Sequence, residues 1–333
     1  MLRLDNQTPF DAAILPGLDK EGIDTVTVAV KGTFAIDRKG AVVIADAQLP
    51  LQRGDTHYAE PGTSSVLLED ETSPLKRGTD VVLVGHAWAG GGRKAPSVDV
   101  SLRVGRLARS ARVFGDRAWY RGASGVAISE PVPFARMPLV WERAFGGKDA
   151  ASDAADLRNP VGVGYTSASE AERIEGVRLP NMEDPESPIA SPADRPAPVG
   201  FGYVGRHWLP RSSFAGTYDD AWRTARAPLL PLDFDDRFFN GAPLVSPKHL
   251  EGGEPVQVVG ASETGELRFQ LPTSAPDVTI HLRGEARDLA VKLDTVVIHP
   301  DERRLVLVWR ATEPCPRSFV QIDWVRVRER GAR

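Results

Sequence analysis

A chain of 333 residues can bury a substantial core and exceeds the common single-domain size, which leaves room for two lobes. Its 41% hydrophobic and 26% charged residues are ordinary for a globular protein, and a net charge of -4 gives no general pull toward nucleic acid or anionic lipid. The single cysteine, Cys315, excludes an internal disulfide and a cysteine-based zinc cluster.

The first third reads as strands. In Thr25-Val26-Thr27-Val28-Ala29-Val30 the valines alternate with small or polar residues, and Asp37-Arg38-Lys39-Gly40 supplies a turn before Ala41-Val42-Val43-Ile44. Val81 to His86 is a short apolar run suited to a buried strand. Val98, Val100, Leu102 and Val104 alternate with polar residues, as expected of a strand with one wet face. The segment from Pro131 to Pro243 is different. Met137 to Phe145 predicts a short helix ended by Gly146, and Tyr218 to Arg226 predicts another with Thr217 as its N-cap. Little else there is periodic, Ser167 to Ala171 reads as a polar tip, and an ordered connection of that length is often functional. Strand composition returns in the last third at 256–259, 267–271, 278–282, 295–298, 305–309 and 319–325. His299 to Arg304 forms a polar turn, and Trp309 and Trp324 are expected in the core.

The expected fold is therefore mainly β, with two antiparallel sandwich- or meander-like lobes, 1–130 and 244–329. A long ordered loop-rich segment with a few short helices, 131–243, joins them. The chain opens without an apolar leader and no apolar run approaches a membrane span, so cytoplasmic residence is expected, with neither membrane nor nucleic acid as partner.

Few motifs carry chemistry. Gly200-Phe201-Gly202-Tyr203-Val204-Gly205 matches a dinucleotide pattern in letters, but Pro196 and Pro198 occupy the place of the preceding strand and Pro210 stops any long helix. No cofactor is expected. Asp55-x-His57-x-x-Glu60 combines an imidazole with two carboxylates, yet on an extended segment Glu60 points away from the other two. Its favoured reading is a polar turn around Glu60-Pro61-Gly62; the alternative is a hydrolase, carbohydrate-active or metal-dependent, with Asp55, His57 and Glu60 at its site. His86 lies in an apolar strand and reads as a hydrogen-bonded core residue. Arg326, Arg328 and Arg330 share one strand face and read as a solvated edge. No nucleophile elbow is present; Gly122-Ala123-Ser124-Gly125 is one residue short and lies at a turn. Cys315 reads as a packed side chain.

What the central part does contain is aromatic, Arg and Asn residues set beside Pro or Gly, where backbone direction is fixed. Arg136, Glu142, Arg143, Asn159 and Asn181, with His57 and Glu60, read as residues that hold structural motifs. Phe201, Arg206, His207, Trp208 and Trp222 read as anchors for a protein partner, because such residue types dominate interface energetics.

Taken together, the blocks resemble the bacterial domain-of-unknown-function family 2169. The likeness runs from Leu4-Asp5-Asn6-Gln7-Thr8-Pro9-Phe10 through 57–64 and 75–87 and the central motifs. It continues through Gly252-Gly253-Glu254-Pro255-Val256 and Leu293 to Ile298, and ends at Leu305 to Arg310. The resemblance implies a non-enzymatic adaptor or chaperone associated with type VI secretion. Such a protein engages an effector, often through a PAAR-like domain, and helps load it onto the VgrG spike. One departure is visible at Leu244-Val245-Ser246, where many members carry an acidic, glutamine-rich stretch; cargo choice is open there. A purely structural subunit of a larger assembly is a third reading.

Overall fold

A computed structural model describes residues 3–123, 125–149, 152–167, 174–315 and 318–330. The apolar strands Lys292–His299 and Arg304–Pro314 pair across the expected turn and form the centre of a seven-stranded sheet. Its order runs Leu244–Val245, Asp80–Leu83, Lys292–His299, Arg304–Pro314, Asp24–Ile36 and Asp11–Leu18, with Val42–Ile44 folded back onto the Asp24–Ile36 strand. The Asp37 carboxylate closes the tip of that last hairpin by accepting the amides of Lys39 and Ala41, and Gly40 takes φ +86° there.

Strand alternation gives this sheet two buried faces. On one, Val28, Val30, Leu83, Val296, Ile298 and Leu307 share a core with two further sheets. The first runs Met182–Glu183, Leu107–Phe114, Ser97–Val104, Pro255–Val259, Glu266–Gln270; the second runs Arg3–Asn6, Ile322–Glu329, Pro276–Leu282, Glu285–Asp288. On the other face Val82, Val297 and Val306 pack with Val66, Tyr203 and Ala242. The class is mainly β, with several separate sheets and no closed barrel.

The boundaries expected near 131 and 243 do not separate these sheets, because each of the three largest draws strands from both ends of the chain. The cause is the ladder between Asp24–Ile36 and Arg304–Pro314, eleven residue pairs long and buried except near its ends. Nor are all neighbours antiparallel. Asp80–Leu83 runs parallel to Lys292–His299, and Arg3–Asn6 parallel to Ile322–Glu329. The intervening chain supplies the long crossover that such pairs need. Ile322–Glu329 is consequently flanked on both sides and is no edge. Arg326 pairs with Asp5 at 2.6 Å and lies over the ring of Trp324, which stacks on His281 and is only half-buried.

The segment 131–243 is ordered mostly by turns. In place of the helix expected at Met137 to Phe145 there is a strand, Arg136–Pro138, then a single 3-10 turn, Trp141–Arg143. The helix expected near 218–226 forms at Asp220–Ala225, but Asp219 rather than Thr217 caps it, accepting the Trp222 amide at 2.7 Å. Gly122 and Gly125 end two paired strands, and Ser124 between them lies outside the described residues, as does Ser167 to Ala171 beyond its first residue. Among the described residues no helix is long and apolar enough to cross a membrane.

Candidate functional site, an arginine-walled apolar cavity

The glycines of Gly200 to Gly205 have a packing explanation. A Cβ on Gly200 would sit 2.9 Å from the Trp141 ring, and one on Gly205 would sit 2.7 Å from the Trp208 indole nitrogen. The two indoles meet edge to face, their centroids 6.0 Å apart, and the Trp141 N–H donates to the Gly202 carbonyl. Phe201 is 1% exposed and Trp208 8%. Both, expected as surface anchors, are instead part of the core, because the missing glycine side chains let the rings close over the backbone.

Above this floor lies a cavity of about 410 Å³. Trp141, Val204 and Ala242 line its base; Pro210, Phe214 and Pro243 line its sides; Leu209 and Val245, both substantially exposed, stand at its rim. Leu157, 59% exposed, accepts the Leu209 amide through its carbonyl and precedes the lining residue Arg158. Four arginines, Arg109, Arg158, Arg211 and Arg237, also line the cavity, and none of its described lining residues is Asp or Glu.

Each arginine is placed differently. Arg158 forms a fork with Asp156. Arg237 forms one with Asp235 and covers the Phe214 ring at 4.2 Å. Those hydrogen bonds from Arg237 hold the Asp235 carboxyl down at about 2. Arg211 is buried, donating to the carbonyls of Phe238 and Val204 and pairing with Glu69 at 2.5 Å. Arg109 donates its Nε–H to the Gly200 carbonyl, and among the described residues no carboxylate lies within ion-pairing distance of it. Burial pulls its pKa below the usual arginine value, and Asp184, acting from farther off, only partly opposes that.

Behind Arg211 the charges continue into the second face of the seven-stranded sheet. Glu69 faces Lys76 at 3.5 Å; Lys76 reaches Asp80 at 2.6 Å and Asp294 at 3.9 Å; Asp294 pairs with Arg310, which also donates to the Glu71 carbonyl. Lys31 meets Glu71 at 2.8 Å. All eight side chains are buried, with equal numbers of acids and bases, so the network is neutral overall. Burial works against the Lys76 ammonium, yet Asp80, Glu69 and Asp294 outweigh it and raise its pKa. Burial likewise works against the Asp294 carboxylate, and Arg310 and Lys76 outweigh it and lower its pKa. The network ties the cavity's wall to the sheet.

The remaining sequence candidates divide into locks and bystanders. Glu142 accepts both the amide and the hydroxyl of Ser65 at 2.7 Å. The buried Asn159 side chain donates to the carbonyls of Trp141 and Phe145. Arg143 donates to the Asn181 side chain, which in turn donates to the Phe114 carbonyl and Asp116. Arg136 lies over Trp88 and reaches Asp301 at 3.4 Å. His86 is thus half-exposed and paired with Asp301 at 2.7 Å, not a core residue.

Asp55, His57 and Glu60 each have separate contacts. Asp55 pairs with Arg206 at 3.2 Å and accepts the Asp70 amide, His57 pairs in a short strand with Val66, and the Glu60 carbonyl accepts from Thr63 and Ser64 to form the turn. No group of three or more His, Cys, Asp or Glu is arranged to hold a metal among the described residues. His207 is exposed. Trp222 packs against Tyr218 and donates to the Leu229 carbonyl, over the hairpin tip that contains Gly22, and so does not border the cavity. Cys315 is buried, and burial together with Glu313 raises its thiol pKa.

A family model described as "Uncharacterized protein conserved in bacteria (DUF2169)" matches residues 21–310. The chain belongs to the DUF2169 family. The matched span of this DUF2169 chain contains all four cavity arginines and all eight members of the buried network. No curated protein and no solved structure matches it significantly.

The cavity arginines were missed in the sequence because Arg109, Arg158, Arg211 and Arg237 share no spacing. The buried network had a signal that could have been read: Lys31, Asp80, Asp294 and Arg310 each sit inside or against an apolar strand run, where an isolated charge is costly.

Proposed function

We propose that this chain is a non-enzymatic adaptor that grips a polypeptide, and that its cargo is a type VI secretion effector bearing a PAAR-like domain, to be loaded onto the VgrG spike. The observation that carries the reading is the exposed apolar side chains of Leu209 and Val245 on the cavity lining, with exposed Leu157 bonded to Leu209 through the backbone. They border a cation-walled cavity whose surrounding backbone is held by Asn159, Glu142 and Arg211. Rigid apolar and arginine groups around a preformed depression suit recognition of another chain, since little conformational entropy remains to be lost on binding. The cargo class rests on the family resemblance in the sequence.

The test is co-expression with a PAAR-domain type VI effector and a VgrG from the source organism, followed by affinity capture. Leu209→Asp and Leu157→Asp, at exposed positions, should leave the unfolding midpoint nearly unchanged and reduce effector capture at least tenfold. Unaltered capture by both variants would exclude this rim as the docking surface.

A further inference from the structure

The proposed adaptor role does not say what chemistry the cavity selects, but its wall does. Arg158, Arg211 and Arg237 are each matched by a carboxylate, Asp156, Glu69 and Asp235, none of which lines the cavity. Arg109 is the exception: half-buried, it has one carbonyl as its hydrogen-bond partner and lacks an ion-pairing acid among the described residues. A guanidinium offers five donors in a planar fork, and the single bond from its Nε leaves the terminal nitrogens of Arg109 free to donate. The neighbouring wall is apolar, made by Trp141, Ala197, Pro198, Pro243 and Val245.

We propose that the cavity takes a segment of the partner polypeptide that presents a carboxylate beside a bulky apolar side chain. The carboxylate pairs with Arg109, and the apolar group fills the space over Trp141 and between Phe214 and Val245. The volume of about 410 Å³ accommodates one or two side chains. Low polarity around the pair strengthens it, and none of the cavity's described lining residues is a carboxylate; Asp184 and Glu186 line the adjoining depression that shares Arg109. This inference rests on the adaptor reading.

Fluorescence polarisation with labelled pentapeptides tests it. The probes are Gly-Glu-Phe-Leu-Gly and its amide counterpart Gly-Gln-Phe-Leu-Gly, both N-labelled and C-amidated. The acidic peptide should bind the intact protein about tenfold more tightly than the amide peptide, and Arg109→Gln should abolish that preference. Val245→Asp, at the exposed rim, should weaken the acidic peptide more than the amide one, and it serves if Arg109→Gln fails to fold. Equal affinity for the two peptides, or a preference that survives both variants, would overturn the proposal. So would saturation by decanoate that neither peptide displaces, which would assign the cavity to a small amphiphile. Effector capture that depends on Leu209 while the peptides bind equally would leave the adaptor role in place and remove only this selectivity.

Discussion

Replacing Lys76 by methionine is expected to lower the unfolding free energy by about 3–5 kcal/mol, a large share of the roughly 5–15 kcal/mol typical of a folded domain. The size follows from what remains. Lys76 is the shared cation of Asp80, Glu69 and Asp294, and it also donates to the Thr295 hydroxyl. Without it the buried network keeps four acids and loses one of four bases, in a place where water cannot compensate. The methionine side chain fits the stem but supplies no charge. Urea unfolding measures the change; a shift below about 1 kcal/mol would show that the network is not stabilised in this way. A second substitution, Asp80→Asn, restores the charge balance and should recover part of the loss. Two independent, additive losses would instead mean that Lys76 and Asp80 are not coupled.

Acid should weaken the fold well before its carboxylates titrate. His299 is buried on the second face of the seven-stranded sheet, and burial, with Arg304 and Lys31 nearby, pushes its pKa down to about 4. Below its unfolded pKa of about 6.5, the unfolded chain binds a proton that the folded chain refuses, so stability falls as pH drops from about 6.5 to about 4. The loss over that window should reach about 3 kcal/mol. The depressed Asp294 carboxyl acts at lower pH: its contribution is full above about 3.9, the unfolded value, and is lost as the pH falls through its lower folded pKa. His299→Gln should flatten the stability curve between pH 6.5 and 4 and leave the steeper fall below pH 4 intact. An unchanged slope in that variant would place the acid sensitivity elsewhere.

The sequence disclosed strands well and their partners poorly. Valine alternation at 25–30 and 98–104, and the polar turn at 299–304, are local patterns that local geometry honours. Pairing between Asp24–Ile36 and Arg304–Pro314 is not a local property, since both strands are largely buried on both faces and their valine-rich runs would suit many neighbours. Strands from both ends of the chain therefore share each of the three largest sheets. The short helix expected at Met137 to Phe145 is absent because tertiary contacts replace periodicity there: Trp141 is held by the Gly202 carbonyl and by Trp208, not by an amphipathic helix. At the site, Phe201 and Trp208, read as partner anchors, lie in the core, because aromatic residues beside glycine signal close packing as readily as display. Arg206 was read as an anchor and is partly committed to Asp55 and Glu69. The exposed residues Leu157, Leu209 and Val245 carry no pattern of their own and become a surface only when the chain is folded.

The most direct test is site-specific photo-crosslinking from the cavity rim. With Val245→p-benzoylphenylalanine in cells that also make a PAAR-domain type VI effector and a VgrG from the source organism, irradiation should, on the proposed function, join this chain covalently to the effector. Arg109→Gln in the same chain should sharply reduce that product. Cross-links that form equally well from Leu18, exposed on the Asp11–Leu18 strand outside the cavity, or that form from Leu18 and not from position 245, would contradict docking at this site.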